Sequence, residues 1–421
     1  MPHTIDRRDF LRAAGAGAVA LGLGGTAVGC GAGEPSAEGT PGPTRTVTLT
    51  WWDYWDQPHF QRGINAVIKD VQEHVPGVTI RRRTFPFATL TDALTRGAFT
   101  GGLPDIAIVD NVAMNPLGGN GLLADLTHQV KEWGQADSYY EGPWDGCQVD
   151  GKTMGIPNNS NCLALYYNTD MLRSAGVRPP RTWDELADSA HQLTRADRFG
   201  LALSAVRTEE GTFQFLPFLW QTGGDLDTFA TDGATALAFL HDLVDGGSMS
   251  RQCVGWTQQD VNAQFIAGRA AIQINGPWQI PTLKASRLKW GVVPLPRGRT
   301  AATCLGGENW VVLKTSKHVD TAWQVIERTQ QPATLVPYLD ALGNLPARKD
   351  LATSGNWAKD PALKVFLSEL AVAKPRLYGR HYADISLAVS EAEQAALTGA
   401  AGPEAAARSA AAKITRALEQ Q

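Results

Sequence analysis

The chain holds no run of eighteen apolar residues, so nothing in it reads as a membrane-spanning helix. It is poor in cysteine, with five in 421 residues and no CxxC pair. No histidine stands at metal-ligand spacing, so neither a zinc site nor any other metal is expected. The GxSxG and HExxH motifs of common hydrolases are missing, and no signature of a bound cofactor is present, so none is expected. Basic residues do not dominate either: 38 Lys and Arg face 42 Asp and Glu, for a net charge of −4. With a pI near 6.1 and no basic stripe, a nucleic-acid partner is not expected. Repeats of solenoid period are absent. What is abundant is tryptophan, thirteen against five methionines. Indole rings in that number either cover something flat or fill cores. The length supports two or three domains, and 43% hydrophobic residues exclude a disordered or collagenous chain.

The first thirty residues read as an address. Asp6-Arg7-Arg8-Asp9-Phe10-Leu11-Arg12 puts paired arginines before a soft apolar stretch over 13–28, which carries five glycines. That pattern fits a twin-arginine signal peptide over 1–29 better than a core helix. Ala27-Val28-Gly29-Cys30 resembles a lipobox, with Ala27 where Leu is usual, so Cys30 is the candidate lipidated residue. Cleavage removes three Arg and two Asp and takes the net charge from −4 to −5. Residues 30–45 are mostly Gly, Pro, Ser, Thr and Glu and read as a flexible tether. The expected location is therefore extracytoplasmic, on the outer face of the cell membrane, with the lipid as the only membrane contact. In an oxidising compartment Cys147, Cys162, Cys253 and Cys304 are disulfide candidates with three connectivities. A turn at Asp150-Gly151 favours joining Cys147 to Cys162.

Beyond the tether, strands and helices alternate. Strands are expected at 46–52, 78–81, 104–110, 163–168, 270–274, 290–293 and 310–313, with helices between them carrying apolar residues at three- and four-residue spacing, as in Phe60, Ile64, Val67, Ile68 and Val71. Thr182 and Glu185 read as a capping box. Alternation of this kind builds mostly parallel sheets covered by helices, with ligands at the carboxyl ends of strands. Trp52, Asp53, Trp55 and Asp56 fall at one such end, and Asp110 and Asn111 at another. The carboxylates and the amide are candidate acceptors for ligand hydroxyls, although a polar residue after a strand is often only a turn former. Glu308 follows Gly306-Gly307, where missing side chains let backbone approach a ligand, and is otherwise a solvated loop carboxylate. Trp278 and Trp310 are each a stacking ring or a core ring, and Gln214 is a further polar candidate. Trp183, Trp290 and Trp323 are assigned to packing. Arg81-Arg82-Arg83 reads as a solvated edge strand, and Asp225, Asp227 and Asp232 as a turn rather than a calcium loop.

Eight segments occur together in one order: Pro104-Asp105-Ile106, Gly151-Lys152 with Gly155-Ile156-Pro157, Tyr166-Tyr167-Asn168-Thr169-Asp170, Pro180-Arg181-Thr182-Trp183-Asp184-Glu185-Leu186, Phe265 with Gly268-Arg269-Ala270-Ala271-Ile272, Asn275-Gly276-Pro277-Trp278, Gly291-Val292-Val293-Pro294-Leu295-Pro296 and Gly306-Gly307. In this the chain resembles extracellular solute-binding proteins of the maltose-binding type, the substrate-binding components of carbohydrate ABC importers. The resemblance runs from about residue 46 to 418. It implies an α/β fold of two lobes, of the type II periplasmic-binding-protein kind, joined by a hinge that the chain crosses several times. The lobes would be 46–159 with 304–345, and 160–303 with 346–421. It also implies a monomer that closes on a carbohydrate in the inter-lobe cleft and delivers it to ABC permease subunits, without catalysis. Trp278 matches a stacking aromatic of that family, and Arg380 and Tyr382 fall where it often brings a C-lobe aromatic. Asn161 stands where the family has an acidic contact. Two other readings stay open: a secreted glycoside hydrolase, and a binder of a non-sugar solute such as a polyamine or phosphate ester.

Overall fold

A computed structural model describes residues 46–420. The signal peptide, the lipobox with Cys30 and the tether all lie outside the described residues. The first sheet contains β1 (Val47–Asp53), β2 (Val78–Thr84), β3 (Ile106–Asp110), β4 (Ile156–Pro157) and β9 (Glu308–Val312). Its order is β2-β1-β3-β9-β4, parallel through β1, β2 and β3, with β9 antiparallel to both of its neighbours. The second sheet is β8-β5-β7-β6, from β5 (Ala164–Asn168), β6 (Phe199–Ala202), β7 (Ala270–Asn275) and β8 (Trp290–Val293). Sheets under helices are the expected α/β architecture and most strand positions coincide, but the sheets are mixed rather than mostly parallel, with three parallel and four antiparallel pairings. β9 differs: it begins at Glu308, two residues before the expected start, so Glu308 is a buried strand residue rather than a solvated loop carboxylate.

The helices follow from their apolar spacing. Helix α1 (Pro58–His74) opens with proline at its first position, where the missing N–H costs nothing, and buries Phe60, Ile64, Val67 and Val71. Each such side chain contributes about 1.5–3 kcal/mol when fully buried. Gly63 lets the helix lie against Leu342 of the helix Pro332–Leu342, where an added Cβ would sit 3.0 Å from the leucine. Helix α2 is Phe87–Thr100. Helix α3 (Glu209–Gln221) is buried along almost its whole length, carries Glu209 and Glu210 in its first turn, and is capped by Thr208 accepting from Glu210 N at 3.3 Å. Acidic residues there suit the positive end of the helix dipole. Helix α4 (Tyr382–Thr398) and helix α5 (Pro403–Glu419) are separated by a break at Gly402-Pro403.

Three stretches of chain lie side by side at the waist between the sheets. Asn161 and Gly306 exchange both backbone hydrogen bonds, at 3.0 and 2.9 Å, and Ser160 and Leu345 do the same at 2.8 and 2.9 Å. Gly306 makes room here for the Asn161 side chain, since a Cβ would lie 2.1 Å from Asn161 Oδ1 and 3.0 Å from the Phe213 ring. Gly307, at φ +142°, would drive one to 2.4 Å from Asn159 O. The chain does not leave the first half at 345, as expected. Tyr140 N donates to Ala347 O, Arg348 Nη1 to Gln330 O, and Asn356 N to Asp340 Oδ1, so the segment stays against the first half until the helix Pro361–Glu369 meets the second sheet.

Several local expectations are met. Asp150 (φ +51°) and Gly151 (φ +75°) turn the short hairpin, and Trp183 stacks on Phe239 at 4.5 Å. Thr182 caps its helix, but Glu185 reaches back to Arg181 N at 2.7 Å rather than to the cap residue, so the box is half formed. Arg82 is not solvated; it pairs with Asp53. The four cysteines form no bridge. All are buried free thiols, filling core positions as small apolar groups, and Cys162 Sγ donates weakly to Phe366 O at 3.4 Å.

Glu393 in α4 is fully buried with neither carboxylate oxygen hydrogen-bonded, and burial pushes its pKa well up. The sign follows directly. A folded-state value raised above the unfolded one contributes stability that is present below about pH 4.3 and is lost as pH rises toward the folded value, at up to ~1.4 kcal/mol per pH unit. Urea denaturation at pH 5 and pH 8 should show the native chain losing stability relative to Glu393→Gln. Parallel curves for the two proteins would contradict this.

Candidate functional site

Between the two sheets lies a cavity of about 310 Å³. That is the lower end of the range for small-molecule sites. Its first wall begins where β1 ends. Arg82 grips Asp53 through Nε at 2.7 Å and Nη2 at 2.6 Å, and Arg82 Nη2 also donates to Trp55 O at 2.7 Å. Asp53 Oδ1 accepts from Trp55 N at 2.9 Å. This brace turns the chain so that Tyr54, Trp55 and Asp56 reach the cavity. Burial pushes the Asp53 carboxyl up against the pull of Arg82.

The floor comes from strand register. Pairing of β3 with β9 sets Glu308 directly opposite Asp110. Tyr54 Oη donates to Glu308 Oε1 at 2.8 Å, and Asn159 Nδ2 donates to the other oxygen. Burial, followed by the nearby Asp110, pushes the Glu308 pKa up to about 7. Asp110 also caps the next turn, accepting from Val112 N at 3.0 Å.

The second wall is built on α3 and on the turn after β7. Arg376 is fully buried and pairs with Asp110 at 3.4 Å and with Glu209 at close range; it donates to Asn111 Oδ1 at 2.9 Å. Its guanidinium lies 4.6 Å from the centre of the Phe213 ring. Burial raises the Glu209 pKa, against the opposing charge of Arg376. Trp278 sits in the turn Pro277–Gln279, its ring 6.2 Å from Phe213. The ring folds back over Gly276, where a Cβ would come within 1.9 Å of it, and Tyr166 Oη pins Gly276 O at 2.7 Å. Glycine is thus the residue that lets this indole lie where it does.

Of the residues singled out in the sequence, Trp55, Asp56, Asp110, Asn161, Trp278, Gly306 and Glu308 line the cavity. Asn111 stands behind it on Arg376, and Gly307 serves the waist, its O accepting from Asn111 N at 3.0 Å. Tyr382 donates to Glu209 at 2.8 Å and lines a second cavity of about 300 Å³, which shares Tyr54, Phe87, Ala88, Asp110 and Glu209 with the first. Five candidates lie elsewhere. Trp52 packs on Phe85 at 4.7 Å, because alternation along β1 sends it to the face opposite Trp51. Asp53 is consumed by Arg82. Trp310 is a core ring set edge-on to Trp51 at 4.6 Å. Gln214 is buried in structural bonds to Ser204 N and Ile274 O. Arg380 is half-exposed, 3.8 Å from Asp150.

Sequence reasoning missed Tyr54, Phe87, Glu209, Glu210, Phe213, Gln258, Asn344 and Arg376. The acidic pair opening an apolar helix was the one local signal that could have found Glu209 and Glu210. Arg376 lies in an irregular stretch and carried none.

Two covered sheets joined at a three-stranded waist, with a polar and aromatic cavity between them, define a two-lobe binding protein. Residues 66–365 match the family of bacterial extracellular solute-binding proteins, and the chain belongs to it. A putative binding protein of Brucella abortus is 26% identical over 389 residues, 86% of this chain and 90% of that protein. The arabinooligosaccharide-binding protein of Bacillus subtilis is 27% identical over 320 residues, 68% of this chain and 70% of that protein. Among solved structures, an ABC transporter solute-binding protein of Thermotoga lettingae, bound to α-D-tagatose, superposes with a TM-score of 0.83 at 27% identity, covering 88% of this chain and 99% of that one.

Proposed function

We propose that this protein binds a carbohydrate in the cavity between its sheets and delivers it to an ABC permease, without transforming it. The observation that carries this reading is the pairing of aromatic faces with directed polar groups around one space: Trp55, Phe213 and Trp278 beside Asp56, Asp110 and Glu308. Sugars present apolar C–H faces to rings and hydroxyls to acceptors, and buried acceptors left unpaired reject analogues lacking a hydroxyl. The sugar ligands of the Bacillus and Thermotoga relatives point the same way. The two lobes of this reading are 46–159 with 304–358, and 160–303 with 359–421. Grip would be a closure that the ligand selects by contacting both walls.

The hydrolase reading draws on one feature, a carboxyl raised to about 7 opposite a second carboxylate. Against it, both Glu308 oxygens already hold donors from Tyr54 and Asn159. Thermal shift and intrinsic fluorescence against a panel of mono- and oligosaccharides test the binding reading, with reducing-end analysis of the same mixtures. Saturable stabilisation without new reducing ends is expected. Turnover, or no response to any sugar, overturns the proposal.

We further infer export by the twin-arginine route and anchoring of a monomer through a lipidated Cys30 on the outer face of the membrane. Cys30→Ser should release the protein from washed membranes, and an unchanged membrane fraction would refute the anchor.

A further inference from the structure

The cavity walls carry far more negative than positive charge. Five carboxylates line it, from Asp56, Asp110, Glu209, Glu210 and Glu308, against one cation, Arg376. That cation is spent, because Asp110 and Glu209 share it. Arg207, in the adjoining cavity, is 3.5 Å from Glu391. No Lys or His lines the first cavity.

Three carboxylates therefore have no protein cation, and they are not equivalent. Glu308 has both oxygens occupied by donors. Glu210 is nine-tenths buried; its Oε2 accepts from Gln258 N at 2.8 Å, and its Oε1 has no hydrogen-bond partner. Asp56 stands exposed on the loop after β1 and lines the same cavity from the opposite wall. Its Oδ1 meets only its neighbour, Gln57 Nε2, at 3.3 Å. Asn344, 1% exposed in the same lining, has an unpartnered Oδ1. Two buried donors of the lining, Trp55 Nε1 and Arg376 Nε, are also unpartnered, but the charge left without a counter-ion is negative.

A hydroxyl is donor and acceptor together and brings no charge. An ammonium group offers three donors, no acceptor and one positive charge. Seating a neutral ring over the buried Glu210 carboxylate leaves its desolvation unopposed, whereas an ammonium between it and the exposed Asp56 restores the pairing that buried charge requires. We propose that the carbohydrate taken by this site is an amino sugar, its ammonium held between Asp56 and Glu210 across the cleft. This rests on the carbohydrate reading above and narrows it to one class of sugar.

Calorimetry with matched pairs tests it: glucosamine and glucose, galactosamine and galactose, mannosamine and mannose, and the β-1,4 disaccharide of glucosamine and cellobiose. In at least one pair the ammonium member should bind about tenfold tighter or better at low salt, and its N-acetyl derivative should lose that gain. Glu210→Gln should shrink the preference to within about threefold. Asp56→Asn, at an exposed position, should do the same and guards against misfolding of the buried variant. Neutral members that bind as tightly as their ammonium partners in every pair that binds overturn the amino-sugar assignment and leave sugar binding standing. Binding of no member, amino or neutral, overturns both.

Discussion

Arg376→Met is expected to destabilise the protein by on the order of 3–5 kcal/mol at neutral pH, read as a fall in the urea midpoint. The methionine roughly keeps the volume but withdraws the charge that Asp110 and Glu209 share in a fully buried position. Breaking a buried ion pair from one side leaves the other side's charge unopposed, which costs more than the pair was worth. The loss should shrink on acidification. Without the guanidinium, the Glu209 carboxyl, already raised by burial, rises further, so its contribution is retained at low pH and lost as pH climbs. Adding Asp110→Asn and Glu209→Gln to the methionine variant should recover much of the stability, since three neutral groups no longer demand compensation. A single variant as stable as the native chain at pH 7 would mean that the trio is hydrated rather than buried.

Trp278→Ala should weaken sugar binding by roughly 1–3 kcal/mol, about 5- to 150-fold in Kd, with little change in the stability of the free protein. The ring is partly exposed, and its position depends on a turn and on Gly276 rather than on deep packing. Stacking strength, not folding, is therefore what the alanine removes. Calorimetry with the best sugar from the panel decides the matter. Unchanged affinity would assign Trp278 to packing against Phe213 alone. A Phe replacement separates the two cases, since it retains a flat face.

The sequence was legible where period and punctuation act locally. Alternation at 46–52 and the apolar spacing of Phe60, Ile64, Val67 and Val71 fixed a strand and a helix, and Asp150-Gly151 fixed a turn. It was less legible where function depends on which of two adjacent residues faces which way. Trp52 and Trp55 looked alike as rings after a strand, yet one lies on the far face of β1 and the other reaches the cavity beyond the Asp53 brace. Glu308 was read as a loop residue because two glycines precede it; those glycines instead accommodate the crossing chains, and the strand starts at once. Arg376 was invisible because its partners lie 167 and 266 residues away. Long-range charge pairing leaves no periodic trace in a sequence.

The triple ribbon at 157–161, 304–308 and 345 has a mechanical consequence. Antiparallel straps fastened side by side resist sliding and torsion more than bending about the line across them, as a leaf spring does. In the closure proposed above, jaws carried on such a spring would return to one alignment each time, leaving little orientational freedom to freeze when a guest is seized. Affinity can then be set by the few groups that touch the guest rather than by the effort of bringing the jaws into line.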